Sequence, residues 1–202
     1  MEIRRYLNKV ILLLTASDIF TWGPISMVTP LIGIFLSERF GQKTIFYVGM
    51  GTALYFLSRA IFQIPIGLIS DKIKHDSDEI GILVMGCFLM GLMYMLIPFV
   101  REPWEYFVLM VLEGLGASMN LNSWRKLFAA NVDKNHSGIG YGFYETVMSL
   151  STAVISIIGG YYSSLSNDVF AIVLVVIGFT IIIGGIISGV IITIRTRKSV
   201  NI

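Results

Sequence analysis

Charge is scarce in this 202-residue sequence. Only 14% of residues are charged, against about 25% in soluble globular domains. Thirteen acidic and 15 basic side chains cannot cover a soluble protein of this size, which excludes a soluble enzyme. With 55% hydrophobic residues, a disordered chain is excluded too. The net charge of +2 is too small for nucleic acid to be a partner. Cysteine is scarcer still. A lone Cys87 excludes an intramolecular disulfide and a cysteine-based metal site. The two histidines, His75 and His136, stand in polar segments far apart. No HExxH, GxSxG or glycine-rich phosphate loop occurs. The expectation is therefore no enzyme, no metal and no cofactor.

What the chain has is long apolar runs and a mean hydropathy of +0.78. A helix needs about 20 mostly apolar residues to cross a bilayer core. Six stretches qualify, at roughly 9–36, 44–69, 80–100, 105–128, 139–163 and 169–194, within residues 1–202 read as one transmembrane domain. Polar breaks separate them, such as Ser37–Lys43 and the charged Ser70–Glu79. Arg4, Arg5 and Lys9 ahead of an apolar run resemble a signal peptide, but the run continues past signal length to Ile34, so a retained helix is expected. Lysine and arginine set the orientation. Arg4, Arg5, Lys9, Lys72, Lys74, Arg125, Lys126, Lys134, Arg195, Arg197 and Lys198 fall on one side. Only Arg39, Lys43 and Arg101 fall on the other. This bias predicts both termini in the cytoplasm of a protein of the cell membrane.

Four charges fall inside spans: Asp18, Arg59, Glu113 and Glu145. Each costs several kcal/mol if left in hydrocarbon, so each needs protein or water around it. Buried ion pairs that fix helix packing are one reading. Substrate binding or proton coupling in a transporter is the other. Asp18 and Arg59 lie about 13 and 15 Å from the cytoplasmic end, near the midplane; Glu113 and Glu145 lie about 10 Å from the outer and inner ends. Spans three and six carry no charge, which predicts that spans 1, 2, 4 and 5 surround something polar while 3 and 6 face lipid. Trp22, Gln63, Asn120 and Asn122 are cavity-lining candidates on those four helices, or else helix-to-helix hydrogen-bonding groups. Pro24 and Pro30 in the first span, and Pro65 in the second, predict bends. Gly185 and Gly189 form a GxxxG pair suited to close helix contact.

The stretch Gly67-Leu-Ile-Ser-Asp71-Lys72-Ile-Lys74, between spans two and three, resembles the signature loop of the major facilitator superfamily. Gly67, Asp71 and Lys72 match that pattern. Ala60–Gly67, Gly114–Ala117, Gly140–Tyr144 and Gly159-Gly160 resemble other parts of the same family, up to the fifth helix. Features of its proton-driven antiporters differ: Met110 stands where they have arginine, Ile155-Ser156 replaces Gly-Pro, and Asn122 replaces a proline. The resemblance implies an all-α polytopic membrane fold of six transmembrane helices, arranged as two inverted three-helix repeats, which is one half of a usual twelve-helix member. It implies transport of a small organic solute by alternating access, with Asp71 holding the cytoplasmic side shut against another half. It leaves open a homodimer of half-size transporters, pairing with a different six-helix half, or a truncated twelve-helix chain. A non-transporting membrane scaffold is the alternative from another class; it would have fully paired charges and no cavity.

Overall fold

The computed structural model describes residues 8–72 and 76–200, with side chains over 8–72 and 77–192. Arg4, Arg5, Lys74, His75, Arg195, Arg197 and Lys198 lie outside the described side chains. Among these residues seven α-helices follow in order: α1 Lys9–Val28, α2 Ile32–Phe40, α3 Thr44–Lys72, α4 Asp76–Leu96, α5 Pro103–Asn131, α6 Ser137–Ser163 and α7 Asn167–Val200. No strand occurs among the described residues.

The stretch 9–36 is two helices rather than one. Pro24 is absorbed inside α1, but the helix ends at Val28 and resumes at Ile32. Pro30 sits in that gap. It has no backbone N–H to continue the helical ladder, so the break falls where its donor is missing. The second piece runs on to Phe40, and Gly41 (φ 59°) then turns the chain through a single 3-10 turn into α3. Only glycine takes that φ without strain. Pro98 similarly converts the end of α4 into a 3-10 turn. At the start of α5, Pro103 occupies the first helical position, where its missing N–H costs nothing. Glu105 accepts the backbone N–H groups of Arg101 and Glu102 at 2.6 and 3.0 Å.

The helix pairings exchange when the two three-span units are swapped. α4 packs along α7; α3 packs on α5 as α6 does on α1; α4 packs on α5 as α7 does on α1. This is the pattern of two inverted repeats. Glycines let these seams close. A Cβ at Gly86 would stand 2.7 Å from the backbone N of Asn120 and the O of Gly116, at the α4–α5 crossing. Gly91 and Gly178 face each other across α4–α7, and Gly184 abuts Ser17 and Thr21 across α7–α1. Of the GxxxG pair, Gly185 presses on Cys87, whereas a Cβ at Gly189 would meet Val84 at an ordinary 3.8 Å.

One end of the bundle joins Asn8 to Asn131 (Nδ2 to carbonyl, 2.7 Å) and Ser70, Glu79 and Lys126 to one another. The opposite end joins Arg39 to the carbonyl of Val100 (2.7 Å) and Asn167 to Glu38 (2.6 Å). The termini of α1 and α5 thus share an end, as an up-and-down path through six spans requires.

Among the described residues, five segments are long and apolar enough to cross a membrane; α5 is the long helix left out. Its Glu113, Asn120, Ser118 and Ser123 lower its hydropathy, and all four are buried against neighbouring helices. The expectation that spans three and six chiefly face lipid needs correcting. α4 and α7 do show lipid-facing side chains, such as Phe88 and Phe179, but their other faces form the seam of the bundle. The least covered long helices are α3, which buries only Thr44, Gly51, Ser58, Ile66 and Ser70, and α6, which buries only Gly140 and Met148. Charge content per helix tells which helices are polar; it does not tell which face a neighbour covers.

Candidate functional site

A cavity of about 520 Å³ opens between α1, α3, α4 and α5, at the break between α1 and α2. Thr29 and Pro30 of that break line it. So do Trp22, Tyr55, Tyr94, Tyr106 and Glu113. Gly51 and Gly114 let α3 and α5 approach closely enough to bring Tyr55 and Glu113 together. A Cβ at Gly51 would run into the Tyr106 ring, and one at Gly114 into the backbone of Tyr55 and the side chain of Ser58. Ser58 fastens the seam further by donating to the carbonyl of Val111 at 2.6 Å.

Glu113 is buried, and the Tyr94 hydroxyl donates to its Oε1 at 2.9 Å. Asp18 is also buried; the Tyr144 hydroxyl donates to its Oδ2 at 2.8 Å, and its Oδ1 has no hydrogen-bond partner. Neither carboxylate forms an ion pair among the described residues. Arg59 forms none either; Tyr55 lies within electrostatic reach of both Arg59 and Glu113. Glu145, one residue beyond Tyr144, points away from the bundle and is exposed on α6. The four intramembrane charges are therefore not brought together as ion pairs.

The amides divide. The Trp22 indole N–H donates to Asn120 Oδ1 at 3.0 Å, and Asn120 Nδ2 donates to Cys87 Sγ at 3.2 Å. Trp22 is on the cavity wall and Asn120 stands behind it. Gln63 and Asn122 instead hold each other: Gln63 Nε2 donates to Asn122 Oδ1 (2.6 Å) and Asn122 Nδ2 to the carbonyl of Gln63 (2.8 Å). They bolt α3 to α5 and do not line the cavity.

At the charged end, Asp71 and Lys72 form the last turn of α3. The Asp71 side chain is 79% exposed and lies 3.9 Å from Lys126 Nζ. A Cβ at Gly67 would meet Asn122 only at 4.0 Å, so the α3–α5 packing does not require glycine there. Beside Asp71 lies a cluster that local sequence pattern does not disclose. Glu79 is 3% exposed and accepts from the Ser70 hydroxyl at 2.8 Å and from Lys126 Nζ at 2.8 Å. Lys126 also donates to the carbonyl of Ser70 at 2.6 Å. This joins the ends of α3, α4 and α5. The signals were a carboxylate at the threshold of an apolar run and a lysine about three and a half turns past Glu113, with nothing in sequence to join them. Tyr55, Tyr94, Tyr106 and Tyr144 were equally hidden, since tyrosine in a membrane helix has no distinctive spacing.

Residues 13–202 match the Major Facilitator Superfamily. The chain belongs to that family. Among curated proteins, a lysosomal dipeptide transporter, MFSD1 of Bos taurus, is 27% identical over 130 residues. The match covers 64% of this chain and 26% of that protein, so the chain spans about a quarter of the relative. No solved structure matches. Family membership makes this an integral membrane protein of a transporter family, whose members are not enzymes. The expected fold, half of a facilitator, agrees with the helix pairing described above.

Proposed function

We propose that residues 1–202 form a single six-helix transmembrane domain that works as one half of a facilitator. Two halves rock about a central site and move a small organic solute by alternating access. The membrane is the cell membrane, with both termini cytoplasmic. The observation that carries this reading is the bare α3–α6 face. Ile61 and Ile64 on α3, and Val154 and Ile157 on α6, are exposed. So is Glu145. A carboxylate facing hydrocarbon costs several kcal/mol. A second half laid on α3 and α6 removes that cost and offers Glu145 a cation, since Arg59 on α3 is partly exposed and has no ion pair among the described residues. A second copy related by an axis along the membrane normal would bring α3 of one against α6 of the other. The match to about a quarter of a longer relative favours a second reading, in which the other half belongs to a longer chain.

Within this reading Asp18 and Glu113 are the solute- or proton-coupling groups, and Asp71, with Gly67 and Lys72, gates the cytoplasmic side. The exposed carboxylate of Asp71, at 3.9 Å from Lys126 Nζ, can exchange that long contact for a helix N-terminus of the opposite half. The relative's name places dipeptides on the panel of solutes to test. The expected result in proteoliposomes loaded with labelled dipeptides and organic cations is uptake that Asp71→Asn abolishes with little loss of folded protein. Undiminished uptake by Asp71→Asn would sink the gate.

A further inference from the structure

The cavity around Glu113 has an unusual composition. Five aromatic side chains, Trp22, Tyr55, Phe56, Tyr94 and Tyr106, share its wall with one carboxylate and no lysine, arginine or histidine. Glu113 is 6% exposed and takes one hydrogen bond, from Tyr94 to Oε1. Its Oε2 receives no donor among the described residues. No ion pair reaches it among the described residues. A buried carboxylate without a counter-charge is costly, and a cation entering the cavity would relieve that cost. The wall decides which cation. A hard metal ion takes six or more oxygen ligands, and among the described residues no group of three His, Cys, Asp or Glu side chains gathers anywhere. Aromatic faces attract ammonium groups instead, by as much as about 2 kcal/mol where water is excluded. Trp22 gives the strongest such face, and its ring is held by the hydrogen bond to Asn120. A volume of about 520 Å³ falls within the range that takes small organic ligands whole.

We propose that this cavity binds a small organic ammonium ion with an apolar body. Glu113 supplies the counter-charge and the aromatic wall holds the ammonium head. The inference rests on the transporter reading and names its solute class.

The test uses the full chain in nanodiscs and calorimetric titration with benzyltrimethylammonium, against neopentylbenzene, its uncharged isostere. The expected result is at least about tenfold tighter binding of the cation. Glu113→Gln lowers cation affinity by about tenfold or more, while Asp168→Asn, at the exposed start of α7, leaves it unchanged. Should Glu113→Gln not give monodisperse protein, Tyr55→Leu on the half-buried rim replaces it, with a loss of about threefold or more. Equal affinity for the two probes, no binding of the cation, or full affinity in Glu113→Gln would overturn the proposal. Flux in proteoliposomes separates the two readings. Cation binding without flux overturns transport and leaves the site; flux of another solute without cation binding overturns the site and leaves transport.

Discussion

α5 and α6 are of similar length, 29 and 27 residues, and have opposite characters. α5 is polar enough to fall short of a membrane span by composition, yet 13 of its residues are buried. α6 is apolar enough to qualify, yet only Gly140 and Met148 are buried. Inside a bilayer there is no hydrophobic force to bring helices together, so packing, small residues and polar contacts do it. α5 has those features: Gly114 and Gly116 at close crossings, Ser118 donating to the carbonyl of Arg59, and Asn120 and Asn122 bonded across to neighbours. α6 has bulk on its outer face, with Leu150, Val154 and Ile157 each more than half exposed. Hydropathy measures suitability for lipid; burial follows from what a helix can grip.

Substitutions at paired positions sharpen this contrast. The largest effect is expected from Gly86→Val, which drives a side chain into the backbone of α5. Overpacking against backbone has no easy relief, so a loss of more than about 3 kcal/mol is expected. Gly142→Val on α6, where nothing lies within 4 Å, should change the unfolding temperature little. Equal damage at both sites would erase the difference between the helices. Next comes Lys126→Met, which leaves the buried Glu79 without its cation. A cost of about 2 kcal/mol is expected in denaturant titration, since Lys126 is itself partly exposed. Adding Glu79→Gln should restore most of it. On α6, Val154→Ala with Ile157→Ala should leave the folded chain within about 0.5 kcal/mol and weaken pairing of halves, read by fluorescence energy transfer in liposomes. The smallest effect belongs to Glu105→Gln. Backbone N–H groups of Arg101 and Glu102 hold the Glu105 carboxyl below its ordinary range. Its contribution is therefore complete above that range and fades as pH falls through the lowered value. The wild-type chain should lose a small amount of thermal stability there that Glu105→Gln does not.

Much of this architecture could be read from residues alone. Six apolar stretches and the alternation of lysine and arginine are local signals, and spans come from them directly. Pro30 marked a bend, but whether a proline bends or breaks a helix depends on what satisfies the freed backbone nearby, so the separate α2 was not legible. Trp22 and Glu113 were marked by chemistry and do line the cavity. The tyrosines around them carry no charge and no spacing that separates them from ordinary membrane aromatics. Glu79 and Lys126 stand 47 positions apart, and only the fold brings them to 2.8 Å. The exposure of α3 and α6 could not be read either, because the side chains that would face a second half are the same apolar ones that would face lipid.

The claim that a second copy covers α3 and α6 is tested most directly by oxidative cross-linking in native membranes. Cys87 is buried, so the chain is suited to introduced cysteines. Ile61→Cys with Leu150→Cys places thiols on the exposed faces of α3 and α6 at similar depth. Phe179→Cys, on the exposed face of α7, is the control. A disulfide-linked dimer is expected from the α3/α6 variant and monomer from the α7 variant. Monomer from the first, or dimer from the second instead, would contradict the claim.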